Sequence, residues 1–308
     1  MKTYDELIKR WDTCRGGQIL VDHQHPIKNM YLNINVSGNR ELLIPVPRPI
    51  YRFQSTEAIG ISNYKTSDMY FFAVELLRED LVQEYAYLCF DLIQSSKNCP
   101  TQAEAVKVLF ETFRKWYSLM ADVHRDILLL NEIRGLMGEV KYMIEELSSG
   151  KDEKELVDAW TVHKDASRDF IFDTTWSEIK TIQPSTEYIS ISSVEQLDHD
   201  LDGKLIVYQL NQTSEAGHQT YTLNSIINEL RAMLSMTVES ELNQKLLSKG
   251  YTHNEQYEQY VFSFGGKLQY VVNNTFPRIS RSMLPKAIST VKYDILLKEI
   301  EGWRTDGK

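Results

Sequence analysis

Between Arg168 and Lys180 the chain reads Arg168-Asp169-Phe170-Ile171-Phe172-Asp173-Thr174-Thr175-Trp176-Ser177-Glu178-Ile179-Lys180. Two runs rich in aromatic and β-branched residues flank a short polar step, the pattern of a β-hairpin. With Thr174-Thr175 as a two-residue turn, Asp173 faces Trp176, Ile171 faces Glu178 and Asp169 faces Lys180. Cross-strand partners share a sheet face, and alternate residues return to it. Asp169, Glu178 and Lys180 then project together, while Phe170, Phe172 and Ile179 point into a core. Turn length is the sensitive variable, because a slip of one residue would send one strand's side chains to the opposite face.

The flanking sequence sets the fold class. A helix is expected over residues 123–147, with a stripe of Ile133, Met137, Val140, Ile144 and Leu147, and Leu136 and Met143 beside it. Ser148-Ser149-Gly150-Lys151-Asp152 ends it. After the hairpin come strands at Tyr188 to Ile191 and Leu205 to Tyr208, then a helix carrying Leu223, Ile226, Ile227, Leu230 and Leu234. This order implies an α/β core, a mixed sheet flanked by helices, over 123–240.

An N-terminal β-strand and helical region is expected over 1–122. Its short apolar runs up to about Lys65 are broken by Gly16-Gly17, Ser37-Gly38-Asn39 and Pro45, Pro47 and Pro49. From Ser67 to about Met120 the spacing of Phe71, Val74, Leu76, Leu77, Leu81 and Tyr85, then of Ala105 to Trp116, predicts helices, with Thr101 and Glu104 as a capping box. Residues 241–308 form a β-rich extension packed on the core, with strands at Tyr260 to Phe264, Leu268 to Val272 and Val291 to Leu296.

Composition excludes some classes. No long apolar run predicts a membrane span, and the polar start lacks the apolar segment of a secretory signal. Cys14, Cys89 and Cys99 are dispersed without CxxC spacing, which points to a reducing cytoplasm. A net charge of −9 argues against a nucleic-acid coat protein. It leaves room for a nucleic-acid enzyme whose phosphate contacts are confined to one strip.

The trio Asp169, Glu178 and Lys180 suits phosphodiester hydrolysis. Two carboxylates can hold a Mg²⁺ that keeps several waters and binds a substrate phosphate. A lysine beside them can orient the attacking water and pair with the phosphate. Glu139-Val140-Lys141 is also a Glu-x-Lys triplet, but it lies on the long helix, where residues two apart do not share a face. Glu139 itself flanks the apolar stripe and could look over the sheet as a third acid. Gly135 and Gly138 each cost that helix about 1 kcal/mol relative to alanine, which signals either close packing or a weak helix start.

Other signals are less specific. Ser192 and Ser193 with Glu195 and Gln196 resemble a helix start, able to cap the helix or to receive a phosphate. Arg278, Arg281, Lys286 and Lys292 form a basic strip, either a solvated face or a track for a DNA backbone. Asp198 to Gly203 opens like a Ca²⁺ loop, but Gln209 stands where a bidentate Glu is needed, so a polar turn is expected. Asp22-His23-Gln24-His25 near Cys14 lacks a fourth zinc ligand at a familiar spacing, so loop histidines are expected. P-loop, GxGxxG and GxSxG patterns are absent.

Taken in order, Gly135-Leu136-Met137-Gly138-Glu139, Ala159-Trp160, Arg168-Asp169-Phe170 and Glu178-Ile179-Lys180-Thr181 resemble a prokaryotic branch of PD-(D/E)XK motif proteins found in restriction-like defence gene clusters. Ser192 to Leu197, Phe276-Pro277-Arg278-Ile279 and Leu284-Pro285 are also similar to it. The resemblance implies a restriction-endonuclease-like core, with Asp169 and Glu178 as metal ligands and Lys180 as the catalytic lysine. Glu139 matches the helix acid of many members. It further implies a Mg²⁺-dependent DNA endonuclease (Mn²⁺ able to substitute), with protein partners from a defence operon and room for a homodimer. Ser192, Ser193, Gln196 and Arg278 are the expected DNA contacts. The alternative is a non-catalytic nuclease-fold subunit that binds DNA or a partner. Two departures stand out: Arg168 replaces the proline before the aspartate, and Thr161-Val162-His163-Lys164 replaces a Gly-Pro turn.

Overall fold

Thr3 opens the first helix by accepting a hydrogen bond from the Glu6 N–H at 3.2 Å. Leu7 and Trp11, one turn apart, bury its apolar face. The computed structural model describes residues 3–14, 17–66, 69–121, 127–162, 167–213 and 219–305. They group into two compact units, Met1–Ile127 with Asn243–His253, and Leu128–Leu242 with Asn254–Lys308. Seven α-helices and three sheets among the described residues make this a mixed α/β protein.

In the first unit, α1 (Tyr4–Asp12) precedes strands β1 (Ile19–Leu20), β2 (Tyr31–Ile34), β3 (Arg40–Val46), β4 (Ile59–Lys65) and β5 (Tyr70–Leu76). They form an antiparallel sheet in the order β1-β2-β3-β5-β4. Leu42 and Ile44 on β3 pair with Val74 and Phe72 on β5. All four are buried in one core with residues of α2 (Val82–Ser96) and α3 (Gln102–Ala121). The Tyr85 hydroxyl ties α2 to β5 through the Val74 carbonyl at 2.6 Å.

The helix expected from Phe71 onward is instead strand β5, and helix begins only at Val82. Tyr70-Phe71-Phe72-Ala73-Val74 is an apolar run almost wholly buried, and in such a run periodicity does not separate helix from strand. Its aromatic and β-branched content favours the strand. Ser67 lies outside the described residues. His25 is buried, with its Nδ1 accepting from the Ile27 N–H at 3.0 Å and its Nε2 3.1 Å from the Ile93 carbonyl. It is a structural loop histidine, as expected.

The second unit opens on α4 (Leu130–Ser148), followed by α5 (Glu153–Ala159), β6 (Phe170–Ile171), β7 (Trp176–Ile182), β8 (Tyr188–Ile191), β9 (Gly203–Thr213), β10 (Thr220–Tyr221) and α6 (Leu223–Ala232). Then come α7 (Met236–Ser248), whose last residues belong to the first unit, β11 (Val261–Val272) and β12 (Tyr293–Leu296). The helix expected from 123 begins at Leu130, and 122–126 lie outside the described residues. Its end falls at the Ser148-Ser149-Gly150 signal: Gly150 takes φ +93°, and the Lys151 N–H reaches the Glu146 carbonyl at 3.0 Å.

The main sheet runs β10-β11-β9-β7-β6, with β7 and β9 parallel and the other pairs antiparallel. The two strands expected at 260–272 are one strand, kinked by a bulge between Phe264 and Gly266. α4 packs on one face of β7, where the Tyr142 hydroxyl lies 3.1 Å from Ser177 Oγ. On the other face Trp176, Leu205, Val207, Tyr270 and Val272 pack with Ile189, Ile191 and Ile295 of the β8–β12 ribbon. Trp176 lies flat against Gly203, where a Cβ would fall 2.1 Å from its Cε2. Among the described residues no helix is long and apolar enough to cross a membrane.

The two glycines of α4 are not equivalent. A Cβ on Gly138 would lie 2.5 Å from Thr181 Cγ2 and 3.4 Å from Ile179 Cγ2, whereas Gly135 has no such neighbour within 4 Å. Close packing therefore accounts for Gly138 alone. Chemical denaturation should show Gly135→Ala stabilising by about 1 kcal/mol through helix propensity. Gly138→Ala should destabilise by about 1–3 kcal/mol, because α4 must move off β7.

Candidate functional site

The hairpin forms, with its turn moved by one residue. Phe170 pairs with Ser177 and Ile171 with Trp176, and the Phe172 N–H donates to the Thr175 carbonyl at 2.9 Å. The turn is thus Asp173-Thr174, not Thr174-Thr175. Aspartate favours turns, and Thr175 sits outside it with its Oγ1 donating to the Asp202 carbonyl at 3.0 Å. The pairing slides by two, and an even slide keeps every side chain on its face. Asp169 now falls opposite Glu178 rather than Lys180. All three stay on the face that carries Trp176.

Glu178 is paired across the parallel ladder with Leu205, which places its carboxylate in an apolar layer. It is 1% exposed. Its Oε1 accepts from Lys180 Nζ at 2.8 Å, while Oε2 has no hydrogen-bond partner. Burial pushes the Glu178 carboxyl up to about 8, the Asp169 charge adds to that, and Lys180 opposes it. Asp169 Oδ2 accepts from the Ile179 N–H at 2.8 Å, which fixes that carboxylate at the strand edge.

Lys180 Nζ also donates to Gln196 Oε1 at 3.2 Å, and the same oxygen accepts the Ser192 N–H at 2.8 Å. Gln196 therefore reaches the trio as a partner of the lysine. The helix start expected at Ser192-Ser193 is only a single 3₁₀ turn, Val194–Gln196, and Ser193 makes no capping hydrogen bond with its side chain. Arg278 is held by two carbonyls, Leu197 at 2.5 Å and His199 at 3.3 Å. Arg281 bonds Glu195 at 2.6 Å, and its N–H donates to Asp198 Oδ2 at 2.8 Å. Both arginines of the expected basic strip hold this loop in place, and Asp198 to Asp202 is the polar turn expected.

Glu139 is buried on α4, and Trp160 donates its indole N–H to Oε2 at 2.6 Å. Trp160 is fixed by a bridge to Phe170 at the sheet edge. Glu139 adds to the negative potential at Glu178. Arg168, in the place where a proline was expected, is buried and lies 5.1 Å from the Trp176 ring centroid. It bonds Ser167 Oγ and the Asp198 carbonyl, leaving Nε without a partner. Burial lowers its pKa, and Glu178 is the main charge acting against that. In the other departing segment, Thr161 pairs with the Asp169 carbonyl at 2.8 Å, while His163 and Lys164 lie outside the described residues.

The roles of Trp160, Gln196 and Arg168 as supports were not legible from the sequence. Each contact joins residues that are distant in the chain or lie across a turn whose path only the fold defines.

The donor set suits a hard divalent cation. A buried carboxylate with one unpartnered oxygen stands beside a second carboxylate, and Mg²⁺ is commonly held through one or two such groups plus water. Among the described residues no three His, Cys, Asp or Glu side chains are gathered as a metal cage. The chain thus offers a carboxylate pair.

A family model described as "Putative PD-(D/E)XK family member, (DUF4420)" matches residues 2–298. No curated protein and no solved structure matches the chain.

The Trp160–Glu139 bond has a measurable consequence. Trp160→Phe keeps most of the apolar volume but removes the donor from a buried carboxylate, so it should destabilise the protein by about 1–3 kcal/mol in urea titrations.

Proposed function

The chain belongs to this family, DUF4420, and from that premise we propose that it is a metal-dependent deoxyribonuclease with a restriction-endonuclease-like core. The observation that carries this reading is the buried Glu178 carboxylate, half unpartnered, with Asp169 opposite and Lys180 bonded to it. Asp169 and Glu178 would hold Mg²⁺ or Mn²⁺, with Glu139 as the third acid reinforcing the negative potential from α4. When bound, such an ion lowers the pKa of a water and stabilises charge on the phosphorane-like transition state.

The residues of the chain supply the rest. Asp169 is oriented by the Ile179 N–H, so its second oxygen is directed by the strand and not by a free rotor. Lys180 is held between Glu178 and Gln196, beside the carboxylates, where its ammonium group would pair with a phosphate oxygen. Glu178 is buried beside an apolar layer, and the low dielectric there strengthens each electrostatic contact it makes. Ser192, Ser193 and Arg278 act through the loop that carries Gln196. A place in a restriction or anti-phage system, with partner proteins, fits the resemblance noted in the sequence.

Cleavage of plasmid DNA with Mg²⁺ or Mn²⁺ tests the reading. Asp169→Ala and Lys180→Ala should each lower the rate by at least about a hundredfold, in protein that circular dichroism shows to be folded. Unchanged cleavage by both would remove the assignment. Mn²⁺ should also raise the melting temperature of the wild type through linkage and leave that of Glu178→Gln unmoved. A wild type that binds DNA and Mn²⁺ but never cuts would favour the non-catalytic alternative.

A further inference from the structure

β3 runs out into Val46-Pro47-Arg48-Pro49-Ile50-Tyr51-Arg52. Pro47 and Pro49 fix their own φ angles and offer no N–H for a ladder. The segment is nevertheless pinned: Asn63 on β4 accepts the Ile50 N–H at 2.9 Å and donates to the Ile50 carbonyl at 3.0 Å. A side-chain amide here replaces the missing strand partner and holds the loop in one shape.

That loop displays one tyrosine and two arginines to solvent. Tyr51 is 80% exposed. Arg48 and Arg52 are exposed too, and among the described residues neither makes an ion pair or a hydrogen bond. Arg52 lies over aromatic rings, 4.9 Å from the Phe53 centroid and 5.5 Å from that of Phe110. With Val106 and Phe110 of α3 the loop lines an open groove of about 500 Å³, mostly apolar and with the two arginines among its lining residues.

Two guanidinium groups without an ion pair, in a chain of net charge −9, mark a place where an anion is welcome. Guanidinium pairs with phosphate in bidentate fashion. An exposed tyrosine on a fixed loop is a stacking platform, and stacking uses the open face of an unpaired base. Apolar lining, stacking ring and two neighbouring cations together match a strand whose bases are accessible better than a duplex, whose bases are already stacked.

We propose that this groove docks a single-stranded stretch of nucleic acid, with phosphates on Arg48 and Arg52 and a base stacked on Tyr51. The choice of a nucleic acid over another polyanion rests on the nuclease reading above.

The test is fluorescence anisotropy with a labelled dT20 oligonucleotide and the full chain in EDTA, so that binding is read without cleavage. Arg48→Ala/Arg52→Ala should weaken binding at least tenfold and flatten the dependence of log K on log salt by about 1.4, from about 0.7 per phosphate contact. Tyr51→Ala should weaken binding severalfold, and Tyr51→Trp should restore it. All are surface changes, so melting temperatures should hold. Wild-type affinity and salt slope in the double arginine variant would overturn the proposal, as would displacement of the oligonucleotide by poly-glutamate or by duplex at the concentrations where unlabelled dT20 displaces it. The two readings fail separately. Loss of cleavage in Asp169→Ala with intact binding in the groove variants would leave the nuclease and remove the groove. Groove-dependent binding by a wild type that never cuts would do the reverse.

Discussion

In β7 the odd residues from Ser177 to Thr181 face α4, while Trp176, Glu178 and Lys180 face the second apolar layer. This alternation lets one seven-residue strand serve two purposes. Ser177, Ile179 and Thr181 give α4 a surface close enough that only glycine fits at 138. The other side places Glu178 and Lys180 beside Leu205 and Val207, their parallel-ladder partners on β9. A carboxylate in such surroundings is costly unless another group answers it. Here the answer is incomplete, with one oxygen on Lys180 and one on nothing.

The loop after β8 exists around that deficit. Gln196 takes a hydrogen from Lys180 and another from the Ser192 backbone, so the lysine is not left to Glu178 alone. Arg168 and Arg278 hold the loop from two sides through the carbonyls of Leu197, Asp198 and His199. Arg168 therefore has a clear function where a proline would otherwise stiffen the approach to Asp169. A proline restrains its own backbone and that of the residue before it, whereas this arginine ties the strand edge to the loop that supports the lysine. It also sets a positive charge near Glu178 that partly offsets Asp169 and Glu139.

Much of this was legible in the sequence where local chemistry decides the outcome. The α4 stripe, its glycine stop, the hairpin and the shared face of Asp169, Glu178 and Lys180 all follow from periods of 3.6 and 2.0. The face assignment survived a misplaced turn because a turn that moves by one residue shifts pairing by two. What failed was local pattern under global burial. Tyr70 to Leu76 reads as helix by spacing but pairs on both edges with β3 and β4, and side chains on both of its faces are buried. The first helix is legible only through Thr3, Glu6, Leu7 and Trp11, which carry a cap and a one-turn apolar pair. The supports of the site were not legible at all, because Gln196 and Arg168 owe their roles to the path of a loop.

The charges of the chain show why a cation site and a strand-binding site would be built apart in sequence. Carboxylates that hold a divalent ion create the negative potential that repels phosphate, and arginines beside them would weaken the ion. At Glu178 this conflict is visible: Lys180 pulls its carboxyl back toward ionisation, Asp169 and Glu139 push it toward the proton, and burial outweighs them all. A second divalent-scale charge would settle that balance by replacing the proton, which makes cation binding and the ionised state of Glu178 one event. Further arginines at the same place would favour ionisation without the ion and remove the drive to bind it. Arg48 and Arg52 belong to the other compact unit, on a loop pinned by Asn63, and carry no such burden. Among the described residues neither makes an ion pair or a hydrogen bond, so their charge is available to a phosphate.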